Sequence, residues 1–218
     1  MKTHYYLGWF NNFFPENLNR VLLEDITVRK SLAMISSNPS IYEDDGSTER
    51  SWLEQAGIMF DEYHLINYRV QKEEAKTIIQ NASVIFLLGG DTLKQNGFLR
   101  EYDLSDSIKK SSAVVMGASA GAINMSAKWL CSKYFGYKVE ASSVYDGIGL
   151  DNFSILSHFD LENNIALVQK ELSLLSEELN IYASNKDCAV RVKEDKIDVL
   201  GNVYLISDSK IQKLDETL

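Results

Sequence analysis

Ala113-Val114-Val115-Met116-Gly117-Ala118-Ser119-Ala120-Gly121 reads as a buried strand that ends in a sharp turn, ahead of a helix-prone stretch over residues 122–130. The unbroken apolar run suits a strand covered on both faces, and small residues on either side of Ser119 let the chain turn tightly. The same alternation recurs upstream. Strands are predicted over residues 5–10, 31–36, 58–66 and 83–88, separated by helices over 15–24, 48–56 and 72–80. Pro15 opens the first helix and Gly57 closes the second. Further helices are expected over 92–99 and 104–109. Downstream come a short strand over 153–157 and a long helix over 161–179. Short segments over 188–192, 196–200 and 203–206 follow, with a turn at Gly201-Asn202. The expected fold is one α/β domain over residues 1–218: a mainly parallel sheet, helices on both faces, and a small antiparallel C-terminal finish.

With 218 residues, 45% of them hydrophobic, the chain can bury one sizeable core. The net charge of −9 without a Lys/Arg run argues against nucleic acid or an anionic membrane as partner. No leader or spanning segment is visible, and Cys131 and Cys188 lie in no C-x-x-C pattern, so a reducing cytoplasm is expected. Three histidines outside any H-E-x-x-H or Cys/His cluster give no support for a metal, and neither metal nor cofactor is expected.

In open parallel sheets, chemistry gathers at the carboxyl ends of strands. Three features fall there. Ser119 sits in a G-x-S-x-G elbow, where a helix N-terminus faces the place an oxyanion could form. His158 closes the run Phe153-Ser154-Ile155-Leu156-Ser157-His158, 39 residues after the serine. It is preferred as general base over His4, near the amino terminus, and His64, inside a Tyr/Leu-rich segment. Gly89-Gly90-Asp91 follows the strand over 83–88. Glycine lets backbone N–H groups approach a carbonyl closely, so Gly90 and Ala120 N–H are expected to form a two-donor oxyanion hole.

The Gly-Gly-Asp-Thr loop within residues 86–93, the Gly-Ala-Ser-Ala-Gly-Ala elbow of 117–122 and the Tyr-Asp-Gly-Ile-Gly-Leu…Ser-His-Phe segment of 145–159 occur in the order and spacing of one family. The chain resembles the peptidase E (α-aspartyl dipeptidase) serine peptidases, which include the cyanophycinases. That resemblance implies a flavodoxin-like sheet related to class I glutamine amidotransferase domains. It also implies hydrolysis of a small peptide substrate by Ser119 and His158 with an acidic third member, for which Asp187 is the candidate and Asp160 a weaker one. Lys186 occupies the adjacent register. Asp91, where the family often has Asn, is a candidate for binding a peptide's amino terminus; a helix N-cap is its other reading. The family's Arg-containing stretch after the histidine corresponds to residues 160–167, which hold no Arg or Lys, so strict Asp-x specificity is not expected. A homodimer is left open. So are two other functions: an esterase-type hydrolase and a non-catalytic ligand binder. The order serine, histidine, acid weighs against the esterase, and the intact Ser119, His158 and Gly90 weigh against the binder.

Overall fold

The computed structural model describes residues 2–42, 45–162 and 171–218. Its main sheet has seven strands, in the spatial order 196–200, 189–193, 3–7, 114–118, 84–87, 31–35 and 62–66. Five of them run parallel: β1 (Thr3–Leu7), β2 (Ser31–Ile35), β3 (Glu62–Ile66), β4 (Val84–Leu87) and β5 (Val114–Ala118). The apolar runs fill its centre, every residue of β2 and β4 being buried. Alternate side chains feed opposite faces: Val84 and Phe86 one core, Ile85 and Leu87 the other.

Helices α1 (Glu16–Asp25) and α2 (Ser47–Gln55) lie on the first of these faces, with Leu18, Leu22 and Trp52 in its core. On the second face lie α3 (Lys72–Asn81), α4 (Thr92–Glu101), α5 (Leu104–Lys110) and α6 (Ala120–Met125). The handedness of parallel crossovers dictates this division. Connections from β1 to β2 to β3 step towards one sheet edge, and those from β3 to β4 to β5 step back, so their helices must take opposite faces. Adjacent strands β2 and β4 therefore send their chains to opposite faces, as do β1 and β5. Such switch points open crevices at the carboxyl ends.

The C-terminal finish is antiparallel. β10 (Ala189–Lys193) pairs with β1 and β11 (Lys196–Leu200) with β10. The first strand of the chain thus lies between β5 and β10. A second sheet, in the order β13-β12-β9-β8, contains β8 (Ser154–Leu156), β9 (Ile181–Ser184), β12 (Val203–Ser207) and β13 (Lys210–Lys213).

Several expectations are corrected. The helix expected over 122–130 stops at Met125. Ser126 leaves helical geometry, its hydroxyl accepts the Ile155 N–H (3.0 Å), and Lys128–Cys131 becomes β6, paired with β7 (Ser143–Asp146). Trp129 on β6 is buried against Tyr145, ring centroids 4.8 Å apart, so aromatic packing across strands outweighs helix propensity there. The first strand, Thr3–Leu7, begins and ends earlier than residues 5–10, and the Gly8 N–H still donates to Cys188 O (2.8 Å) in register with the partner strand 189–193. Only Glu62–Ile66 of the 58–66 stretch is strand; Ile58 and Phe60 are buried in the core beneath α1 and α2. Of the helix expected over 161–179, residues 163–170 lie outside the described residues, and Ser173–Glu178 is helical. Among the described residues, no helix is long and apolar enough to cross a membrane.

Candidate active site

Ser119 follows β5 with φ 46° and ψ −103°, a conformation that costs a non-glycine residue about 1–3 kcal/mol. Its N–H is held by Leu7 O (2.9 Å), and its carbonyl accepts the Ile123 N–H (3.0 Å). The flanking glycines are a steric necessity. A Cβ on Gly121 would come within 2.0 Å of Leu87 O, and one on Gly117 within 2.6 Å of the Gly121 backbone. Helix α6 can therefore sit close enough over β4 and β5 to bend the chain sharply at the serine.

His158 follows β8 in the left-handed region (φ 61°), and its Nε2 lies 2.9 Å from Ser119 Oγ. The expectation that both residues end strands of one sheet is corrected: β8 belongs to the second sheet. Beside the site the Phe159 N–H donates to Ser184 O (3.0 Å) within the second sheet, and the sheets are joined where Trp9, just past β1, bridges to Lys186 in the link from β9 to β10. Burial, and then the nearby charge of Lys186, lower the His158 pKa from its ordinary 6.5. The imidazole is thus neutral at pH 7 and able to accept a proton. The other histidines are engaged elsewhere. His4 Nδ1 is 2.7 Å from Asp151, and His64 Nε2 is 3.2 Å from Glu62 on the sheet's edge strand.

The Gly89-Gly90 loop lies at the other switch point, between the ends of β4 and β2. The Leu88 N–H donates to Ile35 O (3.0 Å), and Gln95 Nε2 donates to Leu88 O (3.0 Å). The Gly89 N–H donates to Glu49 Oε1 (2.9 Å), and the Ser37 hydroxyl donates to Gly89 O. Gly90 has φ 131°, a region open to glycine alone. Asp91 caps α4, its Oδ1 accepting the Lys94 N–H (3.0 Å). The N–H of Ala120, the first residue of α6, has no acceptor one turn back within the helix.

A cavity of about 880 Å³ opens over Ser119, His158, Gly90 and Asp91. Leu130, Phe135, Tyr137 and Ile155 give it an apolar wall. No cation was expected in the stretch after His158, but Lys94 and Lys138 reach the cavity from two other segments, and both are exposed. Asp187 lies in the loop that joins the sheets, exposed, with φ 52° and its N–H on Trp9 O (3.1 Å). Among the described residues, His158 Nδ1 has no hydrogen-bond partner, and neither Asp187 nor Asp160 is bonded to it. Asp160 Oδ1 accepts the Glu162 N–H (3.0 Å). Among the described residues no group of His, Cys, Asp and Glu is arranged to hold a metal ion. Sequence reading missed Glu49 and Ser37. Ser37 lies just past β2, so the strand-end rule that found Ser119 could have found it; Glu49 carries no local signal.

The model of peptidase family S51 matches residues 36–200. A cyanophycinase from Geminocystis herdmanii (strain PCC 6308) is 28% identical over 142 residues, covering 61% of this chain and 52% of the relative. The chain thus spans about half the length of this curated relative. Two solved structures share the fold. A peptidase from an acI-B1 actinobacterium superposes with a TM-score of 0.68 at 17% identity, over 99% of this chain and 95% of that one. A putative peptidase E protein from Listeria monocytogenes EGD-e gives 0.65 at 18% identity, over 92% and 98%.

Proposed function

The chain belongs to peptidase family S51, and from that premise we propose that it is a serine peptidase acting on short peptides through an acyl-enzyme. The observation that carries this reading is the 2.9 Å contact between Ser119 Oγ and the Nε2 of an imidazole kept neutral by burial and by Lys186. Ser119 Oγ attacks the scissile carbonyl as His158 takes its proton. The oxyanion is held by the N–H groups of Gly90 and Ala120. His158 then passes the proton to the departing amine, and water, activated by the same imidazole, releases the acid.

Asp187 is the acid of this scheme, supported by its place next to Lys186, whose charge acts on His158. Its carboxylate must swing to Nδ1 to serve. The apolar wall favours an uncharged side chain over a strict Asp-x substrate, with the exposed Lys138 available to a peptide carboxylate, Lys94 donating to Asn38 Oδ1 (3.0 Å), and Asp91, 3.7 Å from Lys94 Nζ, offered to the amino terminus. The strand order supports the flavodoxin-like reading. Strands β3-β2-β4-β5 match the first four places of the order 2-1-3-4-5, and β1 takes the fifth.

The test is labelling with a fluorophosphonate, followed by turnover of a dipeptide panel. Wild-type protein should label and hydrolyse, whereas Ser119→Ala should do neither and lose several powers of ten in kcat. Near-wild-type turnover by the alanine variant would overturn the reading.

A further inference from the structure

We propose that Ser37 and Glu49 are positioning residues that lock and polarise the Gly89–Gly90 peptide, whose N–H serves as an oxyanion donor. This rests on the function proposed above. The two ends of that peptide group are electronically joined. When the Ser37 hydroxyl donates to Gly89 O, it draws density out of the amide and makes the N–H on Gly90 a better donor, the cooperativity of chained hydrogen bonds in a low dielectric. Ser37 is 1% exposed, so water does not dilute the effect.

Orientation needs a second anchor. A peptide unit between two glycines can flip at little steric cost, and a flip here would aim Gly89 O, instead of the Gly90 N–H, at the developing negative charge. Glu49 prevents it from one residue upstream: its Oε1 holds the Gly89 N–H at 2.9 Å, while Gln95 holds Leu88 O at 3.0 Å. The same close packing admits no side chain at either glycine. A Cβ on Gly90 would meet Ser37 Oγ at 2.4 Å, and one on Gly89 would meet the Trp9 ring at 2.7 Å.

The choice of a carboxyl acceptor makes the assignment testable. Burying a carboxylate is costly, and a negative charge behind an oxyanion hole opposes the charge that develops there. What the clamp requires of Glu49 is the hydrogen bond it accepts from the Gly89 N–H. Glutamine, which keeps an acceptor oxygen and drops the charge, should replace it far better than leucine.

The experiment measures the rate of fluorophosphonate labelling at Ser119, with kcat and KM on one dipeptide, for wild type, Ser37→Ala, Glu49→Leu and Glu49→Gln. Thermal midpoints are followed in parallel. Ser37→Ala and Glu49→Leu should lose about ten- to a hundredfold in labelling rate and kcat, less than the hundred- to thousandfold cost of deleting a donor outright. KM should hold, because the lost interaction forms only in the transition state. Glu49→Gln should lose least. If Glu49→Leu does not fold, Ser37→Ala, which deletes a single oxygen, carries the test alone. Labelling of Ser37→Ala at the wild-type rate, or a loss confined to KM, overturns the clamp and leaves the proposed function standing. A wild-type protein that does not label overturns both.

Discussion

Because burial and Lys186 hold the His158 pKa below that of an ordinary histidine, the working state of this residue persists into acid. The sign is fixed by its role. A general base must be neutral, so kcat/KM should stay level as pH falls past 6.5 and decline only on reaching the lowered pKa. Lys186→Met removes one of the two causes and should move that acid limb upward, which a pH–rate profile on a neutral dipeptide would read. Asp187→Asn separates triad from dyad. If the carboxylate orients the imidazole during turnover, kcat should fall by orders of magnitude with little change in stability. Near-wild-type kcat would leave Ser119 and His158 acting alone. Ser119, His158 and Gly90 could be read from the chain because each stands at the end of an apolar run, a local pattern. Glu49 could not. Its carboxylate meets a backbone N–H forty residues away only after α2 has crossed the sheet. The lysines were missed for the same reason: the cavity wall is assembled from segments that sequence order keeps apart.

Among the elements, α6 is the one whose placement decides the site. Within a helix, Gly121→Ala would ordinarily stabilise by about 1 kcal/mol. Here the new methyl would press on a backbone carbonyl that cannot rotate away, so steric cost and propensity oppose each other. Overpacking costs about 1–3 kcal/mol, enough to reverse the sign. Urea denaturation should show Gly121→Ala less stable than wild type, with weakened Ser119 labelling as α6 lifts from β4. The parallel strands and most of the helices were legible because continuous apolar runs and terminal Pro or Gly residues are local signals. Residues 128–131 were not. Lys-Trp-Leu-Cys suits either a helix or a strand, and only its partner Ser143–Asp146, brought in by the fold, makes it a strand. β8 and β9 pair in parallel across more than twenty residues of chain, beyond what a short apolar run can announce.

At the scale of the whole molecule, the two ends of the chain are fastened through one buried carboxylate. Asp25, at the end of α1, receives Arg191 through two nitrogens (2.8 and 2.9 Å), Lys193 (2.7 Å) and the Tyr5 hydroxyl (2.5 Å). Burial alone would raise its pKa, but these donors together hold it below the usual carboxylate range. The stability it lends is therefore present at neutral pH and is lost as pH falls through that lowered value. Asp25→Ala would leave Lys193 without this partner and Arg191 with Asp198 alone, and should cost about 3 kcal/mol in denaturant unfolding at pH 7, with a smaller deficit in strong acid. The position of β1 between β5 and β10 adds a constraint in time. During synthesis the first strand leaves the ribosome with both edges bare. Its parallel neighbour arrives only when residues 114–118 emerge, and its antiparallel neighbour only with residues 189–193. For most of translation, a strand with all five residues apt for burial has no partner on one side, an open template for pairing with another chain. The late strand that completes the sheet also closes this edge, so the interval before residue 193 is made is when the nascent chain most needs shielding by a chaperone.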